Sequence, residues 1–228
     1  MKIPQKMHHI LIIVVSIFST TYSYDHFKLV QHWPTAFCIL NPCNPTRFPL
    51  PREFKIHGLW PDNFNGPQLA YCPMPSTDYD YKLFVEVPFR TRLDNDWIDL
   101  ERSHATTVRY QDVWHQQWEK HGKCGISNFN QTAYFNKAIE LKSQFNLFSI
   151  LQQNGISNGG TVDLRAVNTS ITIAIGEKPI IRCKVDTHNA NRRLLSEIVL
   201  CFDPNGIAVV DCGQTTLQNC GSGHVLFP

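Results

Sequence analysis

Two short segments hold side chains whose types and spacing suit proton-transfer chemistry. The first is Ile56-His57-Gly58-Leu59-Trp60-Pro61-Asp62, and the second runs from Trp114 through His115, Gln116, Gln117, Trp118, Glu119, Lys120, His121 and Gly122 to Cys124. Histidine, with an unperturbed pKa of about 6.5, serves as acid or base near neutral pH. Two histidines with a lysine beside them suit the internal transesterification of RNA. One imidazole takes the proton of a ribose 2′-OH and the other protonates the departing 5′-oxygen. A cation stabilises the charge on the pentacoordinate phosphorus between them. His57, His121 and the adjacent Lys120 supply those types. Such a site needs no metal or other cofactor. The chain has no Cys-x-x-Cys pair and no His-Glu-x-x-His run.

Every one of these residues has a plainer reading. A lone histidine is more often a surface or hydrogen-bonded core residue than a catalyst, and His115 and His121 could decorate a helix. Trp60, Trp114 and Trp118 are first of all core residues, and Gly58 could simply relieve crowding at a bulge. Composition and spacing by themselves stop at an exported α+β domain with a candidate hydrolytic site.

The elements that must position these side chains can be read in outline. Phe27–Trp33 alternates as a strand, with Leu29 and Gln31 on the face opposite Val30 and His32. Phe54–Trp60 is a second strand, placing Phe54 and Ile56 on one face and Lys55 and His57 on the other. The stretch Ser76–Arg92 is polar, aromatic and irregular. A helical pattern starts at Asp94, carrying Trp97, Leu100 and Glu101, and a further helix spans Tyr110–Lys120. Asn130–Gln153 reads as one helix, stopped by Asn154-Gly155. Residues 161–176 fit a strand or a short helix. Glu197–Phe202 and Ile207–Cys212 flank Asp203-Pro-Asn-Gly206, a hairpin signal. Strands at both ends with helices between them predict one α+β domain, with a mainly antiparallel central sheet and several helices around it.

The opening residues read as a secretory signal over 1–23, leaving a mature domain of 24–228. Lys2, Lys6 and two histidines precede the apolar run Ile10–Phe18, then small and polar residues follow. That run is too short for the ~20 residues of a membrane span, so no membrane anchor is expected. Removing Lys2 and Lys6 takes the 21 basic residues to 19, equal to the 19 acidic ones. Attraction to a polyanion must then come from a local site. Eight cysteines in an exported chain imply disulfides, with 105 pairings open. Asn130-Gln-Thr and Asn168-Thr-Ser are glycosylation sequons, whereas proline blocks Asn44-Pro-Thr.

The two segments resemble the paired active-site motifs of the ribonuclease T2 family. The first matches without a gap, and the second keeps Trp114, Trp118, Lys120, His121, Gly122 and Cys124 in register. The likeness extends from Phe27-Lys-Leu-Val to the closing Leu226-Phe227-Pro228. It implies that His57 is the general acid, His121 the general base and Lys120 the phosphorane-stabilising lysine. It also implies the pairs Cys38–Cys43, Cys72–Cys124, Cys183–Cys220 and Cys201–Cys212. His32, Trp60, Asp99, Leu100, Val113 and Gln116 are the implied substrate-binding residues.

There are departures. Relatives often carry His-Glu before the tryptophan matched by Trp118, where this chain has Gln116 and Gln117, and His115 lies one place too early. Gln117 can hydrogen-bond a phosphate oxygen but cannot act as a carboxylate, so a working but slower enzyme is expected. His32 replaces a common glutamine and Val113 a common aromatic residue, which predicts low base selectivity.

Within the family, the eight-cysteine framework, the Pro-Thr-Ala-Phe-Cys38 segment, the glutamine in place of glutamate at Gln117 and the Leu-Phe-Pro ending are most like the pistil self-incompatibility ribonucleases. The balanced charge fits that group less well, since its members are usually basic. On this reading the enzyme is a monomer of the pistil extracellular matrix. Its partners beyond RNA are pollen recognition proteins of the F-box type, reading the exposed Ser76–Arg92 surface. The alternatives are a self-incompatibility-like ribonuclease of phosphate recycling and defence, or a silent secreted binding or storage relative. A histidine phosphomonoesterase would need an Arg-His-Gly signature, which is missing.

Overall fold

The computed structural model describes residues 24–73, 78–84, 86–102, 112–221 and 223–228. The expected signal segment lies outside these residues, as do Tyr110, Gln111 and part of the Ser76–Arg92 stretch.

An antiparallel pair, β1 (His26–His32) and β2 (Lys55–Asp62), forms one side of the sheet. β1 also pairs antiparallel with β5 (Asn189–Phe202), which pairs with β4 (Ile180–Asp186). Shorter strands complete it: β3 (Gly160–Asp163), β6 (Val209–Val210), β7 (Leu217–Gln218) and β8 (His224–Phe227). The main strand order is β2-β1-β5-β4-β7, and among the described residues only the pairings of β4 with β7 and β5 with β8 are parallel. The expected α+β domain with a mainly antiparallel sheet is what forms.

The two faces of this sheet do different things. Phe27, Leu29, Ile56, Leu59, Leu200 and Phe202 join the main core, together with Trp114, Trp118, Tyr134 and Phe135 from helices α3 (Asp112–Lys120) and α4 (Gln131–Gln144). Val30, Trp60, Ile180, Val199 and Cys201 form a smaller cluster on the opposite face. β1 is therefore buried along its whole length, although its alternation was that of a strand with one polar face. A central strand with both faces covered buries its polar residues too, and Lys28 ion-pairs with Asp62 there.

Two helices differ from expectation. The pattern beginning at Asp94 is the end of α2 (Val87–Asp96), which starts inside the stretch read as irregular. Pro88 suits its first turn, and only Phe89 and Leu93 face inward, a stripe too narrow to show as periodicity. Trp97, Leu100 and Glu101 lie beyond its end. The long helix of 130–153 is two helices, α4 and α5 (Leu147–Gln153). The Asn146 side chain accepts from Ser149 N–H, so an N-cap starts α5 three residues after α4 stops. Residues 160–175 are both strand and helix, β3 followed by α6 (Leu164–Ile175), which ends at Gly176 with φ +87°. The hairpin over 203–206 forms, with Cys201 opposite Val210.

The four disulfides are Cys38–Cys43, Cys72–Cys124, Cys183–Cys220 and Cys201–Cys212. Among the described residues no helix is long and apolar enough to cross a membrane. No group of three His, Cys, Asp or Glu side chains among them is placed to hold a metal ion.

Candidate active site

A β-bulge sets the position of His57. Along the β1–β2 ladder Val30 faces Gly58 and Gln31 faces Ile56, leaving His57 as the extra residue. The insertion keeps both Ile56 and Leu59 in the main core while His57 and Trp60 share the opposite face. Their rings meet edge to face with centroids 5.2 Å apart. Strict alternation would instead put Trp60 on the face of Ile56.

The backbone of the bulge is tied to the helices. Trp97 Nε1 donates to His57 O at 3.1 Å, and Trp114 Nε1 of α3 donates to Trp97 O at 2.7 Å. Two residues further along β2, Tyr134 OH donates to Leu59 O at 2.7 Å. Each such bond contributes about 1 kcal/mol net, and together they fix β2 against α3 and α4.

Helix α3 delivers the second segment. Trp114, Gln117 and Trp118 are buried on its inner side, and His121 follows at the same helical spacing just past its end. Gly122 is required there, because a Cβ would lie 2.3 Å from the Trp118 ring. The His121 ring stacks on Trp60 at 4.7 Å, so one indole carries both imidazoles. His121 Nδ1 lies 3.2 Å from Leu69 O. A carbonyl only accepts, so this contact places the proton on Nδ1 and leaves Nε2 as a bare acceptor. Burial pushes the His121 pKa down to about 4; the Leu69 contact opposes the shift and the nearby charge of Lys120 adds to it.

Gln117 completes the link. Trp60 Nε1 donates to Gln117 Oε1 at 2.8 Å, so the amide NH2 is left to donate to a substrate. This bond passes over Gly58, where a Cβ would meet Gln117 Oε1 and Trp60 Nε1, each at 2.1 Å. Gly58→Ala is therefore expected to cost about 1–3 kcal/mol through overpacking. Cleavage is expected to fall roughly tenfold to a hundredfold as Trp60 and both imidazoles shift. Urea unfolding and steady-state kinetics on the same variant check both effects.

His57 stands where several clefts meet. One, of about 230 Å³, is lined by His32, Ile98, Asp99, Leu100, Val113, Gln116 and Gln117 among others. Another contains Tyr71, Gln116, Gln117 and Lys120. Lys120 is exposed and has no ion-pair partner among the described residues, so its ammonium is free for a phosphate. The structure thus brings together His57, His121, Gln117 and Lys120, with His32, Asp99, Leu100, Val113 and Gln116 along the cleft. Trp60 is 7% exposed and sits behind the two imidazoles instead of in the cleft wall. Asp99 Oδ1 is used to accept Glu101 N–H and Arg102 N–H, so its first task is to shape the turn. His32 is buried, and burial beside His57 pushes its pKa down to about 3, so it enters the site neutral.

Sequence reasoning missed Glu197, whose Oε1 is 2.6 Å from His57 Nδ1, and Arg182, whose guanidinium lies over the Trp60 ring at 5.5 Å. The available signal was a carboxylate inside the apolar run Ser196–Phe202, which must find a partner when buried. Phe37 of helix α1 (Pro34–Leu40) and Tyr71 also line the clefts without having been singled out.

The model of the Ribonuclease T2 family matches residues 24–212, which include both histidine segments. The chain belongs to the ribonuclease T2 family. It is 36% identical over 195 residues to Ribonuclease S-2 of Antirrhinum hispanicum, covering 85% of this chain and 78% of that protein. Extracellular ribonuclease LE of Solanum lycopersicum is 33% identical over 94% of this chain and 91% of its own length. Among solved structures, the gametophytic self-incompatibility associated SF11-RNase of Nicotiana alata superposes with a TM-score of 0.79 at 32% identity. That match covers 90% of this chain and 99% of the other. This T2 ribonuclease is therefore an enzyme acting on RNA, built on the α+β fold of its relatives.

Proposed function

We propose that the chain is a secreted endoribonuclease that cleaves single-stranded RNA by metal-free transesterification, with His121 as base and His57 as acid. The observation that carries this reading is the unequal environment of two imidazoles on one indole. His121 is buried, neutral and proton-bearing at Nδ1, so its Nε2 can take the 2′-OH proton. His57 is a third exposed and faces a carboxylate, which balances the positive charge of an imidazolium acid. As the 2′-oxygen bonds to phosphorus, His57 gives its proton to the 5′-oxygen and the P–O5′ bond breaks, leaving a 2′,3′-cyclic phosphate. Lys120 and the Gln117 amide donate to the phosphorane oxygens. His32, Asp99, Leu100, Val113 and Gln116 bound the space for a base, and the want of an aromatic side chain at Val113 favours low selectivity.

Purified protein incubated with mixed-sequence RNA in EDTA is the test. Cleavage with products ending in 2′,3′-cyclic phosphate is expected, and no cleavage of any RNA would transfer the chain to the silent binding relatives.

We infer a biological role as the pistil determinant of gametophytic self-incompatibility, supported by the likeness to Ribonuclease S-2 and SF11-RNase. The likeness to extracellular ribonuclease LE keeps phosphate recycling and defence as the second reading. On either reading residues 1–23 direct secretion and the mature chain begins near Tyr24. Asn130 is exposed and caps α4 through Oδ1, so its Nδ2 is available for a glycan, whereas Asn168 lies half-buried within α6.

A further inference from the structure

Glu197 is buried in the apolar middle of β5 and is only 9% exposed. Burying a carboxylate costs several kcal/mol unless charge and hydrogen bonds compensate it. Here one oxygen faces His57 Nδ1 at 2.6 Å and the other accepts from Arg182 Nη1 at 3.3 Å. Burial alone would raise its pKa; His57 and then Arg182 overcome this and hold it near 2. The register explains the arrangement. His32 on β1, Glu197 on β5 and Arg182 on β4 lie directly opposite one another across three strands. Arg182 is itself fixed, donating from Nε to Gln218 Oε1 at 3.0 Å and lying over Trp60. The bulged His57 reaches across to the middle of that row.

We propose that Glu197, anchored by Arg182, is the positioning residue of His57: it holds the imidazole through Nδ1 so that a protonated Nε2 faces the scissile phosphate. The inference rests on His57 being the acid. Other charged or titratable groups face His57 from each side. His32 comes from β1, Glu119 and Lys120 from α3, Asp99 and Glu101 from across one cleft and Lys184 from β4 across another. Among the described residues, only Glu197 is within hydrogen-bond distance of the His57 ring. In the acid step the proton on Nε2 passes to the 5′-oxygen, and the Nδ1 proton stays between His57 and Glu197 throughout.

The test compares wild type, Glu197→Gln, Glu197→Asp and His57→Ala on two substrates. One is a dinucleoside monophosphate, whose alkoxide leaving group needs an acid; the other is a uridine 3′-(4-nitrophenyl phosphate), whose leaving group does not. Glu197→Gln is expected to lower kcat on the dinucleotide about tenfold to a hundredfold, part of the ~10²–10⁴ that a proton-transfer residue supplies. KM should change little, and the aryl ester should be cleaved at nearly the wild-type rate. Glu197→Asp, which keeps the charge and shortens the reach, should recover part of the dinucleotide kcat that Glu197→Gln loses. The inference is overturned if Glu197→Gln keeps the wild-type kcat on the dinucleotide, or loses both substrates equally, as a merely structural residue would. Should His57→Ala itself lose both substrates equally, the acid assignment fails, an outcome visible independently of the Glu197 variants.

Discussion

Alanine in place of either His57 or His121 is expected to lower cleavage of RNA by about 10²–10⁴-fold, the contribution of a positioned proton-transfer group. The double variant should lose little more than the worse single one, because both imidazoles serve one phosphorus atom and act as a unit. The two losses arise differently. His121 is 2% exposed, stacked on Trp60 and held by Leu69 O, so its replacement removes both the proposed base and the ring that packs on the indole. His57 is more open, and its loss leaves the Glu197 carboxylate facing the cleft without its imidazole. The wild-type pH profile should carry the mark of His121. A base must be unprotonated, and with a pKa of about 4 it stays so until the medium is quite acid. Activity should persist through pH 5 and fall as pH drops through about 4. An acid limb near the ordinary histidine value of about 6.5 would count against His121 as the base.

Removing the Cys72–Cys124 disulfide, as Cys72→Ala with Cys124→Ala, is the second large effect expected. The bond spans 52 residues, and closing a loop of that size restricts the unfolded chain by about 4 kcal/mol on the chain-entropy account. Its place in the site adds to this. Leu69 O holds His121, Tyr71 N–H donates to Lys120 O at 2.8 Å, and Cys72 fastens the same segment beside the end of α3. The double variant should lose cleavage at temperatures where circular dichroism still reports a folded chain. Replacing Cys38 and Cys43, which close a five-residue separation, should do neither to the same degree. Thermal unfolding and kinetics on both pairs give the comparison.

Much of the site could be read from the chain before its geometry was known. His57, Gln117, Lys120 and His121 sit in contiguous motifs, where each residue's neighbours in sequence are also its neighbours in space. Glu197 and Arg182 were not legible, because they reach His57 and Trp60 through strand register set by residues far apart in the chain. The strands carrying His32 and His57 were placed within a residue or two, but the burial of β1 on both faces was hidden, since alternation describes residue type and not what covers it. The helices were less clear for local reasons. Phe89 and Leu93 are a thin apolar stripe, and the break between α4 and α5 depends on a single capping side chain, Asn146.

The single extra residue in β2 has a consequence for how this gene can vary. The His57 imidazole reaches the cleft because of a count, one more residue on β2 than on β1, and not because of any one contact. Substitutions around the bulge change packing by degrees. Loss or gain of one codon between Phe54 and Gly58 instead changes strand parity, exchanging the core-facing and cleft-facing sets. Histidine would enter the apolar interior and isoleucine the cleft. Across descendants of this sequence, length in that interval should be far more constant than composition.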